Sequence, residues 1–211
     1  MANFHEPFPA PLVVEHPTPA SADAPLVVLF HGRGSDAGDI IGLAGDLPAS
    51  LHYAAVRAPI AEGGGFAWFA NRGIGRPIAE SLRDTMDWFH TWLEATHAGR
   101  RVVLVGFSGG GAFAGGLLLD DPARWDGAAI LNATVPFEAG VPTTTGRLEG
   151  VPVFLSHGLH DTVIPVELQS RTWDYLTGES HALVTPRREP AAHQLTVDGV
   201  AALATWLEAL A

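Results

Sequence analysis

Cysteine is absent from this chain. Disulfides, a thiolate nucleophile and thiolate-ligated zinc are therefore excluded, and the redox compartment stays open though compatible with the cytoplasm. Long apolar runs are absent too: none approaches the ~18–20 residues needed to span a bilayer. The segment Met1–Pro11 has neither a basic start nor a continuous apolar stretch, so no secretory leader is read there. Positive charge is scarce, with Lys+Arg 12 against Asp+Glu 23 and a net charge of −11. That acidity disfavours nucleic acid and anionic membrane surfaces as partners and suits solubility. What remains is 47% hydrophobic and 17% charged over 211 residues, enough for one domain, 1–211, with a sizeable core. The expectation is a soluble cytoplasmic protein, monomer or homodimer, with no repeats and no internal linker.

Strand-like apolar runs alternate with helical patterns, which favours a mostly parallel sheet covered on both faces. Strands are expected at Leu26–Phe30, Ala54–Ala58, Arg101–Gly106, Ala128–Asn132, Val151–Ser156 and His181–Pro186, with Leu12–Glu15 as an antiparallel edge. Residues 76–97 read as a helix with Pro77 in its first turn and Ile78, Leu82, Met86, Phe89 and Leu93 along one face. Residues 196–210 read as another, capped by Thr196. Further helices are expected at 39–47, 110–119 and 166–177. The stretch Val135–Gly150 is too short and too rich in Pro and Gly to build a lid domain, so the fold class is a small, capless α/β domain with an open site.

The strand Arg101–Val105 runs straight into Gly106-Phe107-Ser108-Gly109-Gly110 and then into the small-residue run Gly111–Gly115. Strand, G-x-S-x-G turn and close-packing helix are the parts of a nucleophile elbow. The turn strains the backbone at the serine, and glycine is wanted at 106 and 110 because side chains there would collide. Such a turn lifts the Ser108 hydroxyl clear of the sheet and aims the helix N-terminus at the reacting oxygen. The chain has 24 glycines, so the pentapeptide alone is weak evidence; its flanks strengthen it.

A serine hydroxyl needs a base within reach and a carboxylate to orient that base. Behind an elbow these arrive in the chain order Ser, Asp/Glu, His. Strand Val151–Ser156 leads into His157-Gly158-Leu159-His160-Asp161, and Asp161 stands where a strand reaches the carboxyl edge of the sheet. Its plainer role would be a turn aspartate ahead of Thr162 and Pro165. Asp126 precedes a strand and Asp174 sits within a helix, so both fit worse. His193 lies in a loop between the last strand and the last helix, free to swing toward Ser108; alone, it would read as an exposed loop histidine. Two backbone N–H groups complete an oxyanion hole: Gly109 after the serine, and Arg33 in the loop Phe30-His31-Gly32-Arg33-Gly34. The Arg33 side chain reads as a solvated cation or as a contact for an anionic substrate group. His31 reads as a buried brace of its loop.

His157-x-x-His160-Asp161 straddles a strand end and not one helix face, so it is a poor metal site, and no cofactor or metal is expected. The aromatics Phe66, Trp68, Phe69 and Phe137 fall in expected loops and could wall a substrate pocket. Trp88, Trp92, Trp173 and Trp206 fall on expected helices, as packing.

The motifs L-F-H-G-R-G-S-D (29–36), R-A-P-I (57–60), G-F-S-G-G-G (106–111), H-G-L-H-D-T-V-I-P (157–165) and H-Q-L-T (193–196) resemble the phospholipase/carboxylesterase branch of the α/β-hydrolase superfamily. The likeness runs from about Leu26 to the C-terminus, and the last two motifs look most like bacterial hydroquinone-specific or YpfH-like esterases. The resemblance implies a serine esterase acting on small-molecule esters, with Ser108, Asp161 and His193 as its triad and the main chain of Arg33 and Gly109 as its oxyanion hole. Many members carry Gln or Asn after the nucleophile, where this chain has Gly109. An acyl-thioesterase or lysophospholipase working on longer chains, and a non-catalytic binding protein with the same fold, stay open.

Overall fold

The computed structural model describes residues 8–211; of the stretch read for a leader, Met1–Pro7 lies outside the described residues. A seven-stranded sheet forms the middle layer. Its strands are β1 (Val13–His16), β2 (Leu26–Phe30), β3 (His52–Val56), β6 (Val102–Phe107), β7 (Gly127–Leu131), β8 (Pro152–Gly158) and β9 (Leu183–Glu189). The order across the sheet is β1-β3-β2-β6-β7-β8-β9. Only β1 runs antiparallel, with Val13 opposite Val56; every other pair is parallel. A separate hairpin joins β4 (Ile60–Glu62) to β5 (Gly65–Ala67).

Alternation along each buried strand sends side chains to two cores. Val28, Phe30 and Leu104 face α2 (Ala79–His97) and α3 (Gly109–Asp120), where Phe89 and Phe113 meet Phe30 edge-on at 5.3 and 5.4 Å. Val27, Leu29 and Val105 face the opposite layer, formed by α5 (Val197–Glu208) and the short α1 (Ala37–Ile40). The remaining helix, α4 (Val166–Asp174), follows β8. Residues 135–150 lie without regular structure against the sheet-facing core, burying Val135, Val141 and Leu148, and form no cap.

Several boundaries differ from the sequence expectation. The helix expected at 39–47 is four residues of α1 followed by a 3₁₀ segment, Ile41–Asp46. Gly42 and Gly45 make continued α-helix costly there. The helix expected from 76 starts at Ala79, because Pro77 is used instead to pair with Asn71 and Ile78 N–H donates to Ala70 O at 2.8 Å, closing a small loop. α4 ends at Asp174 and continues as a wide turn, Tyr175–Glu179. β9 begins at Leu183, not His181, whose φ of 59° is a left-handed turn. Pro186 does not stop the strand, because β9 is an edge and needs no N–H on its outer side. The β4–β5 hairpin was not expected, although Gly63 and Gly64 carry the positive φ values of 60° and 87° that a tight hairpin turn requires.

The chain reverses direction across the sheet between β2 and β6, which are neighbours whose carboxyl ends open at the same edge. Ligands of open α/β sheets collect at such a switch point. Both the loop after β2 and the turn after β6 meet there.

Candidate active site

Ser108 sits between β6 and α3 with φ 54° and ψ −118°, a left-handed conformation that a non-glycine residue adopts only when its surroundings hold it. Its N–H donates to Leu131 O at 2.9 Å, tying the turn to the end of β7. The glycines around it are required by close approach. A methyl group on Gly106 would lie 2.2 Å from Gly110 O. On Gly110 it would lie 2.2 Å from Phe30 O and 2.5 Å from His31 O. The second clash is with the end of β2, not with a side chain across the turn as the pentapeptide alone suggests. Gly110 therefore lets α3 press its first turn against the loop that follows β2.

His193 Nε2 stands 2.8 Å from Ser108 Oγ, and His193 Nδ1 donates to Asp161 Oδ2 at 2.7 Å. Asp161 is anchored by the chain after it: its Oδ1 accepts from the N–H of Val163 at 2.8 Å and of Ile164 at 3.1 Å. With its side chain 1% exposed, this carboxylate is oriented by three donors. The ring of Phe107 packs 5.1 Å from that of His193. Residues separated by 85 positions in sequence thus form one hydrogen-bonded chain, carboxylate to imidazole to hydroxyl.

The backbones of Gly109 and Arg33 lie close together beside Ser108. Gly109 opens α3, so its N–H has no acceptor within the helix. The Arg33 N–H makes no backbone hydrogen bond among the described residues. The segments converge: a methyl on Gly109 would lie 3.2 Å from Arg33 N. The Arg33 side chain is engaged elsewhere. Its guanidinium pairs with both carboxylate oxygens of Glu62 on β4 and donates to Phe69 O at 3.1 Å. Of the two sequence readings, solvated cation and substrate contact, the first fits an exposed side chain, which also acts as a strut between the loop after β2 and the hairpin. The same loop is stitched to β5 by Gly34 N–H to Phe66 O at 2.9 Å and Phe66 N–H to Ser35 O at 3.0 Å.

His31 is fully buried and does brace this loop. Its Nδ1 donates to Gly32 O at 2.8 Å and its Nε2 accepts from Ala58 N–H at 3.1 Å. That pattern fixes the neutral tautomer, and burial holds its pKa below the ordinary histidine range. Trp68 stacks on Phe113 at 4.6 Å and donates its indole N–H to His31 O at 2.9 Å, locking the loop from the other side.

A cavity of about 450 Å³ opens over the serine. Trp68, Phe69, Ile40, Ile74, Val163 and Ile164 give it apolar walls, and Ser108, Gly109 and His193 lie on its surface. Phe66 and Phe137, expected as walls, do not line it. The Phe66 ring lies under the Arg57 guanidinium at 4.4 Å, and Phe137 packs on Tyr175 at 5.7 Å beneath Arg171. Arginine faces satisfied both rings outside the cavity, a pairing that loop sequences do not advertise. Of the walls not expected, Ile40 ends α1, while Ile74, Val163 and Ile164 come from loops after strand ends; the Gly73-Ile74-Gly75 triplet was the only available signal for Ile74.

His157, His160 and Asp161 do not converge on a metal site. His157 is buried with Nε2 donating to Ala133 O at 3.0 Å, and burial lowers its pKa. His160 is exposed, and Asp161 is committed to His193. Among the described residues no three His, Asp or Glu side chains are arranged to hold a metal ion, and no helix is long and apolar enough to cross a membrane.

Residues 12–211 match the sequence profile of the phospholipase/carboxylesterase family. The chain belongs to that family. Like other phospholipase/carboxylesterase members it has the single-domain α/β-hydrolase fold and is a hydrolase. It is 26% identical over 176 residues to the Bacillus subtilis (strain 168) protein MhqD, which carries the name of a hydrolase; the match covers 81% of this chain and 86% of that one. Its fold is that of the Bacillus cereus carboxylesterase, with a TM-score of 0.83 at 23% identity over 95% of each chain. The carboxylesterase from Mesorhizobium loti superposes with a TM-score of 0.77 at 23% identity, over 87% of this chain and 88% of that one.

Proposed function

We propose that this member of the family is a serine esterase that cleaves small carboxylic esters, of short acyl or aryl type, through an acyl-enzyme. The observation that carries the reading is the unbroken chain Asp161–His193–Ser108 ending at a cavity beside two N–H groups that have no hydrogen-bond partner among the described residues. His193 Nε2 takes the Ser108 proton as Oγ attacks the ester carbonyl, and the N–H groups of Arg33 and Gly109 receive the oxyanion. Asp161 holds the imidazole in the right tautomer and stabilises the cation that forms. The tetrahedral intermediate collapses as His193 passes its proton to the leaving alcohol. A water then gives its proton to His193 and attacks the acyl carbon; as the acid leaves, His193 returns that proton to Ser108 Oγ, restoring the hydroxyl and the neutral imidazole. No step calls on a cofactor.

The short-acyl preference rests on the cavity. Its walls are close-set aromatic and branched side chains, and no cap covers a groove along which a long chain could extend. Its volume of about 450 Å³ suits a compact ester. Across p-nitrophenyl esters from acetyl to palmitoyl, kcat/KM should peak between acetyl and butyryl. A value that climbs steadily to palmitoyl would assign the site to long-chain thioesters or lysophospholipids instead.

A further inference from the structure

Asn132, the residue after β7, has no part in the triad yet holds the loop that carries its histidine. It is 2% exposed and takes φ 46°, a left-handed conformation that asparagine tolerates better than other side chains. Its own N–H donates to Ser156 O at 2.8 Å, which anchors it to β8. From there its side-chain amide Nδ2 reaches Ala192 O and Gln194 O, both at 3.3 Å. Both partners are carbonyl oxygens, so only the NH₂ end of the amide can face them, and each takes one hydrogen. Those carbonyls flank His193 on either side. Gln194 N–H also donates to Ala192 O at 2.9 Å, a hydrogen bond spanning three residues with His193 at the apex of a γ-turn.

Other bonds hold the ends of the loop: Thr196 Oγ1, three residues beyond His193, donates to Glu189 Oε2 of β9 at 3.2 Å. His160 N–H donates to Ala191 O at 2.9 Å, and Gly158 lies so close that a methyl there would be 2.2 Å from Ala192 O. Immediately after His193, it is Asn132 that ties Gln194 O to the end of β7. The preceding residue, Leu131, accepts the Ser108 N–H. One strand end therefore fixes the serine turn by a backbone carbonyl and the histidine turn by a side-chain amide.

We infer that Asn132 is a positioning residue that sets the reach of His193 Nε2 to Ser108 Oγ by clamping both flanks of the histidine's γ-turn. The inference rests on the serine-esterase reading. An imidazole displaced by a fraction of an ångström remains near the hydroxyl but loses the alignment needed for proton transfer, and such displacements lower turnover more than binding.

The test pairs two variants with a cycle. Asn132→Gly accepts the positive φ without strain and removes both hydrogen bonds. Asn132→Asp keeps size and backbone tolerance but turns carboxylate oxygens on two carbonyl oxygens, pushing the loop away. With p-nitrophenyl butyrate, Asn132→Gly should lower kcat roughly 10–100-fold with KM little changed, the scale expected of a misplaced catalytic group. Asn132→Asp should fall further, and both should slow fluorophosphonate labelling in parallel. The melting midpoint of the glycine variant should drop by only a few degrees. In a His193→Ala background the same Asn132→Gly change should alter the residual rate by less than about twofold, because its effect runs through the imidazole. A loss of equal size in that background, or single variants within about twofold of the parent, would overturn the inference. Failure of the underlying reading looks different: His193→Ala itself would then leave hydrolysis intact.

Discussion

Ser108→Ala is expected to remove ester hydrolysis by about 10⁴–10⁶-fold in kcat while leaving the fold intact, the range seen when the nucleophile of a serine triad is deleted. The fold should survive because alanine adds no atom to a turn already held at φ 54° by the Leu131 hydrogen bond and by the close approach of Gly106 and Gly110. Some catalysis over water should persist, since the Arg33 and Gly109 N–H groups and the cavity are untouched. Circular dichroism and thermal melting of the variant should match the parent. Activity within a factor of a few of the parent would end the serine-hydrolase reading.

The second large effect separates the histidines. His193→Ala should cost several powers of ten in turnover, on the order of 10⁴–10⁶, because it removes the base from both the acylation and deacylation steps. His160→Ala should cost very little. Its side chain is exposed, and the hydrogen bond its N–H donates to Ala191 O at 2.9 Å, in the loop that carries His193, is a backbone bond that alanine preserves. Exposed substitutions of this kind shift stability by about 0.5 kcal/mol or less. The two variants should be compared by kcat/KM on one ester under identical conditions. An inert His160→Ala enzyme beside an active His193→Ala enzyme would reverse the assignment.

The hydrogen-bonded arrangement of Ser108, His193 and Asp161 was legible in sequence because much of its geometry is carried by local patterns. A strand, a G-x-S-x-G turn and a small-residue helix can hardly be arranged otherwise than as Gly106, Ser108 and Gly110 arrange them here. Asp161 and His193 were legible by order and by position at strand ends, not by any contact. The outlying parts were harder to read for definite reasons. Nothing in residues 39–47 distinguishes a full helix from a short helix followed by a 3₁₀ turn, apart from the two glycines. Loops have no periodicity, so nothing told Phe69, which faces the cavity, from Phe66 and Phe137, which lie beneath arginines. Asn132 was invisible as a positioning residue because the carbonyls it holds are 60 and 62 positions away. The Arg33–Glu62 strut depends on a hairpin whose turn was not recognised. Long-range side-chain pairing is the level at which single-sequence reasoning gives out.

If an acyl group passes through Ser108, the chain itself offers a direct test. Cleavage after arginine releases Val102–Arg124, a peptide in which Ser108 is the only hydroxyl-bearing side chain. The enzyme should be mixed with p-nitrophenyl butyrate, quenched in acid within the first turnovers and digested at acidic pH with an arginine-cleaving protease. Mass spectrometry should then find the butyryl mass on Val102–Arg124 in the parent and on no peptide in Ser108→Ala. Rapid hydrolysis with the acyl mass on another peptide, or an acylated Ser108→Ala enzyme that still turns over, would contradict the account.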